Sequence, residues 1–156
     1  MSFNAIAPSI TTTPSASIVT NDGFFPDINM DTLRDTMRLD GTVTAARLRD
    51  ATIAAVIEVN SELQAWRAGK IVAGVTELAQ LQPQIGGVAV AVSQYMAAVY
   101  RTAKADLTER YRDFDTTKTG EDKADQLDCT IGDDRRAARW AIRDLLGKPR
   151  STIELI

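Results

Sequence analysis

Three carboxylates and three guanidiniums stand at helical spacing in the last quarter of this chain, and they are the first residues to weigh for chemistry. Asp122, Asp125 and Asp128 lie three apart. Carboxylates arranged so can gather a hard cation, but no glycine-punctuated calcium loop surrounds them, and a solvated helix face accounts for them. Arg135, Arg139 and Arg143 fall at i, i+4 and i+8 and form a basic ridge, with Trp140 beside Arg139 as an apolar anchor. That ridge reads in two ways: a surface stripe countered by Asp134, Asp144 and neighbouring chains, or a contact for phosphate or an acidic partner.

Other reactive groups are scarce. The sequence has no histidine, which removes His-containing triads, His metal ligands and imidazole acid–base catalysis together. Its single cysteine, Cys129, has Asp125, Asp128 and Asp133 for neighbours, and these disfavour a thiolate. One cysteine also excludes an intrachain disulfide framework and fits a reducing cytoplasm. Ile85-Gly86-Gly87-Val88 lacks the Lys-Ser/Thr of a phosphate loop and the spacing of a dinucleotide fingerprint. No catalytic residue, metal or cofactor is expected, and the chain reads as a non-enzyme.

The net charge of −3 supplies no basic field for nucleic acid or an anionic membrane. It is unevenly spread. Residues 1–33 carry Asp22, Asp27 and Asp31 without a base, whereas residues 133–156 hold six bases against four acids. Leu78 to Tyr100 is uncharged, but Pro83, Gly86–Gly87 and several glutamines interrupt it, so it does not read as a membrane span.

The elements that must position these residues are helical. Residues 1–26, rich in Ser, Thr and Pro, read as a flexible arm, either a disordered leader or one that orders against a neighbouring subunit. A first helix is expected from Asn29, which caps it, with Ile28 and Leu33 as a hydrophobic staple and Asp40–Gly41 as its end. A second runs from a Thr44 cap to about Lys70. Its stripe of Leu48, Val56, Val59, Leu63 and Trp66 is widened by Ile53 and Ile57, which suggests contact on more than one side. Gly69 and Gly74 mark the exit, and Val75–Gln84 is a connection that holds a helical turn after Thr76. The third helix is expected from near Gly87 to about Phe114, with an Asp106–Arg110 pair at i, i+4. After a turn over Asp115–Gly120, a fourth runs from about Glu121 to Leu146, with Gly132 as a candidate kink, and Gly147 and Pro149 stop it. The fold class is therefore all-α: about four helices over residues 27–148, preceded by the arm and followed by an extended tail at 149–156. Ser151-Thr152-Ile153-Glu154-Leu155-Ile156 alternates like a strand, and the sequence offers no other strand to pair with it.

Several segments resemble the head completion (stabilisation) proteins, protein L, of P2-type contractile-tailed bacteriophages. They are Ile28-Asn29-Met30-Asp31, Met37-Arg38-Leu39-Asp40-Gly41-Thr42-Val43-Thr44, Ala65-Trp66-Arg67 and the closing run from Ala138 to Ile156. The resemblance covers most of the chain after about residue 24. It implies a virion component at the head–tail junction, assembled in the host cytoplasm. Such a connector (adaptor) subunit forms a ring of like subunits under the portal, helps retain packaged double-stranded DNA, and meets a tail-side connector or tail terminator protein. The residues assigned to partner binding on this reading are Arg135, Arg139, Trp140, Arg143, Ile153, Leu155 and Ile156. A small helical DNA-binding regulator is the alternative, supported by the arginine ridge and the polar arm. The acidic charge and the lack of a helix–turn–helix ahead of the ridge weigh against it.

Overall fold

In the computed structural model, residues 17–112 and 120–149 are described, with side chains over 17–110 and 130–149. Four helices carry the fold: α1 (Met30–Met37), α2 (Ala45–Val72), α3 (Val90–Arg112) and α4 (Gly120–Leu145). Their starts follow the caps legible in the sequence. The Asn29 side chain accepts from the backbone N–H of Asp31 and Thr32 at 2.9 and 3.1 Å, and the Thr44 hydroxyl accepts from Arg47 N–H at 3.3 Å. A 3-10 turn at Leu78–Gln80 fills the connection after α2.

Three helix ends share one device. At each, a residue one or two places past the helix turns left-handed and two reversed hydrogen bonds close over the last turn. Gly74 does this after α2 with φ +87°, and Gly147 after α4 with φ +65°. Lys148 N–H then reaches Arg143 O at 2.9 Å and Gly147 N–H reaches Asp144 O at 3.1 Å. After α1 the position falls on Arg38, at φ 53°, rather than on the Gly41 that the sequence suggested. A side chain there costs about 1–2 kcal/mol, and the Arg34 guanidinium ties the segment down by donating to Asp40 O and Val43 O.

Two small β pairs correct the purely helical expectation. The strands β1 (Ile18–Val19) and β2 (Ile28–Asn29) pair antiparallel, with Val19 opposite Ile28. The strands β3 (Gln84–Ile85) and β4 (Val88–Ala89) form a hairpin, with Ile85 opposite Val88, so α3 begins at Val90 and not near Gly87.

The arm boundary also moves. Residues 17–26, assigned to the flexible arm, are packed: Phe24 and Phe25 are buried, and Val19 joins the same core. The physical reason is two adjacent aromatics, whose burial offsets the ordering of a short polar loop. Residues 1–16 lie outside the described residues, as do residues 115–119 of the turn assigned to Asp115–Gly120, whose Gly120 instead opens α4, and the tail from Arg150 to Ile156.

The core lies between α2 and α3. Leu48, Val59 and Leu63 from α2 meet Tyr95, Val99 and Ala103 from α3, all buried. α4 packs along α3 in the largest helix interface and touches α2 little. Seven residues join α3 to α4. The eight steps from Arg112 to Gly120 can span at most about 29 Å, less than the roughly 34 Å length of α3, so the two helices are antiparallel. α4 runs unbroken through Gly132.

Candidate partner-binding surface

The residues assigned to partner binding divide into those the structure occupies internally and those it leaves outward. Arg135 is half exposed and forms an ion pair with Glu109 on α3. Arg143 donates through Nε and Nη2 to the Pro149 carbonyl at 3.1 and 2.7 Å, which fixes the direction in which the chain leaves α4. Trp140 is half-buried, with the Arg136 guanidinium 5.6 Å above its ring, while Arg136 itself pairs with Asp133. Arg139 is exposed and makes no ion pair among the described residues. The ridge is therefore not an unbroken basic strip. Ile153, Leu155 and Ile156 lie outside the described residues.

Asp134, named only as a counter-charge in the sequence, holds α4 to α3. It is buried, and its carboxylate oxygens meet Arg101 Nη1 at 3.0 Å and Lys104 Nζ at 3.3 Å. Two cations around one buried carboxylate satisfy its charge within the subunit. The Asp106–Arg110 pair stands as expected, at 2.9 Å.

Beside this pairing, α2, α3 and α4 enclose a groove of about 410 Å³. Its deepest lining is small and buried, Ala55 from α2, Ala105 from α3 and Ala138 from α4, with the exposed Ala54 beside them. Glu58 and Glu62 form one rim and Arg135 and Arg139 the other. Sequence reasoning missed this groove because its walls come from three helices whose relative placement periodicity does not give. Ile57 on the outer face of α2 is 65% exposed, so the wide apolar surface of that helix does face two ways.

The second outward feature is the hairpin end, where Ile85 and Val88 are exposed together with Ile71 and Val72 of α2. Its signal was in the sequence: β-branched Ile85 and Val88 flank a Gly-Gly doublet, the two-residue hairpin pattern. The same four residues attract notice first as a failed phosphate loop, which hides the hairpin.

At the opposite flank of the core a closed polar triangle clasps the N-terminal segment. Asn21 Nδ2 donates to the Tyr95 hydroxyl at 2.8 Å, Tyr95 donates to Asn60 Oδ1 at 2.7 Å, and Asn60 Nδ2 returns to Asn21 Oδ1 at 2.9 Å. Burial pushes the Tyr95 phenol far above the ordinary tyrosine range. Asp22 extends the clasp by accepting from Phe24 and Phe25 N–H and pairing with Arg67 at 3.1 Å.

No group of histidines, cysteines or carboxylates capable of holding a metal occurs among the described residues, and no helix among them is long and apolar enough to cross a membrane. The model of the family described as phage head completion protein (GPL) matches residues 19–156. The chain belongs to that family. It is 42% identical over 140 residues to the head completion/stabilization protein of Escherichia phage P2, across 89% of this chain and 83% of the relative. No solved structure matches significantly. As a member of the phage head completion family the chain is a structural phage protein, and the family is not one of enzymes. The match starts inside β1, so the clasp of Asn21 lies within the family's span and not in a leader before it.

Proposed function

We propose that this head completion protein is a connector (adaptor) subunit that forms a ring beneath the portal, helps retain the packaged DNA and presents the surface on which the tail is joined. Its partners are other copies of itself, the portal protein, and a tail-side connector or tail terminator protein. The observation that carries this reading is the outward display of Ile71, Val72, Ile85 and Val88 at one end of a small helical body. Grouped exposed apolar side chains favour burial against another chain. The tail from Arg150 to Ile156 leaves a helix end that Arg143 fixes, and its strand-like pattern suits pairing with an edge strand of the portal. A net charge of −3 suits a wall past which DNA must slide.

The DNA-binding regulator gains no support from the ridge, because the charge of Arg135 is met by Glu109 and Arg143 is spent on the Pro149 carbonyl. The deciding measurement is the native mass of the purified chain with and without portal protein, beside a duplex-DNA titration. A ring-sized complex with portal supports the connector. A chain that ignores portal and binds duplex tightly overturns it.

A further inference from the structure

The hairpin end and the three-helix groove are different in shape, and each lacks inside the subunit what the other offers. At the hairpin, Gly86 and Gly87 both turn left-handed, with φ +61° and +78°, which a two-residue turn requires and which glycine tolerates. Ile85 and Val88 are cross-strand partners, so they share one face, and they are 74% and 46% exposed. Asn60 meets Tyr95, and Ala55 lines the groove with Thr102, so α2 and α3 run antiparallel. α2 therefore ends where α3 begins, which puts Ile71 and Val72 at the hairpin end of the pair. That end is an apolar knob, uncharged in sequence from Leu78 to Tyr100, with Lys70 in the last turn of α2, its ammonium 5.5 Å over the Trp66 ring, and Glu77 in the connection after α2.

The groove has an alanine floor and two charged rims. Glu58 and Glu62 on α2, and Arg139 on α4, make no ion pair among the described residues. Its rims thus carry unmatched charge of both signs, and the knob end carries one base and one acid. A subunit cannot seat its own knob. The hairpin precedes Val90, some 12 residues before Thr102 on the same continuous helix, which is roughly 18 Å along its axis.

We propose that the knob of one copy seats in the groove of the next. Ile85 and Val88 then lie on the alanine floor, with Lys70 towards Glu58 and Glu62 and Glu77 towards Arg139. Because knob and groove are distinct patches, the contact is head-to-tail and propagates into a ring or filament instead of closing as a two-fold dimer. This rests on the head completion reading and names the contact by which its copies meet.

The test is made in assembled phage heads. The chain carrying Ile85→Cys and Ala54→Cys, with Cys129→Ala, is oxidised and run on a non-reducing gel. The expected result is a ladder extending past the dimer, with neither single variant giving one. If the chain is present in heads at the wild-type amount and no ladder forms, the knob–groove contact is wrong while the connector reading stands. A wild-type chain absent from heads removes both. Where the cysteine variant alone is not incorporated, purified Ile85→Asp/Val88→Asp and Ala54→Arg chains, each with native helical circular dichroism, are mixed. One intact interface should yield a 1:1 dimer and nothing larger, and a mixture that stays monomeric overturns the proposal.

Discussion

The ring of Phe25 lies flat on that of Tyr95, with centroids 4.5 Å apart and planes 8° from parallel. Through this stack a residue from the loop between β1 and β2 caps the hydrophobic side of a tyrosine whose hydroxyl closes the Asn21–Asn60 triangle. One side chain thus joins the N-terminal segment, α2 and α3, by packing at its face and hydrogen bonding at its tip. Offset aromatic pairs of this kind contribute about 0.5–1.5 kcal/mol beyond their area.

Removing only the hydroxyl separates the two parts. Tyr95→Phe keeps the stack but leaves Asn60 Oδ1 without its donor and one Asn21 contact unmade. A loss of about 1–3 kcal/mol is expected in urea unfolding, the range for an orphaned buried polar group. A neutral substitution would mean that water replaces the hydroxyl.

The same phenol sets an alkaline limit. Burial raises its pKa well above the ordinary value of 10.0, and the neighbouring Asp22 charge pushes the same way. The folded state therefore holds this proton more tightly than the unfolded chain does. Stability from Tyr95 is complete below about pH 10 and falls as pH rises from there towards the folded pKa. Absorbance titration should show the Tyr95 phenol ionising only with the loss of helical signal, whereas Tyr95→Phe should flatten the decline.

Leu63 faces inward from α2 and is wholly buried. Leu63→Ala should cost about 2–5 kcal/mol, through lost transfer energy and the cavity left behind. Chemical denaturation measures it. A loss well below 1 kcal/mol would require the site to collapse freely, which is at odds with α3 packed across it.

Arg139→Glu distinguishes the outward arginine from its paired neighbours. With no intramolecular ion pair to break among the described residues, stability should stay within about 0.5 kcal/mol of the wild type, while head assembly falls. Arg135→Glu places like charges together at Glu109 and should lower stability by up to about 1 kcal/mol as well. Melting temperature and head yield, read side by side, check both.

Deleting residues 150–156 should leave helical circular dichroism unchanged and abolish docking to portal-containing heads. The chain is closed at Gly147 and Lys148 before the deletion begins, so the last turn of α4 keeps its capping bonds. Unchanged docking would remove the tail from the partner contact.

Local signals carried much of the fold in the sequence. Asn29 and Thr44 cap helices where their side chains and the following apolar residues said they would, and Gly74 and Gly147 end them. These features act over three or four residues. What escaped was non-local or ambiguous. Ser-Thr-rich surroundings outweighed the Phe24–Phe25 pair, although its burial site on Tyr95 lies far along the chain. Arg38 took the left-handed position because the end of α1 is set by packing of Leu33 and Leu39, and not by the nearest glycine. For the candidate surface, the arginines were legible at their spacing. Their partners Glu109 and the Pro149 carbonyl are three-dimensional facts, and they leave Arg139 as the outward member.

The bond between Asn21 and Tyr95 spans 74 residues, and this sets an order on the making of the protein. A ribosome finishes the clasp's first half long before its last. At the usual rate of synthesis the interval is about 4–15 s. Through it Phe24 and Phe25 wait without Tyr95, and for about the first half of it without Asn60 as well. The newborn chain thus begins with its stickiest dipeptide in open water. Slow translation between codons 25 and 95 prolongs that exposure, and expression in a host with ample chaperone capacity shortens its consequences.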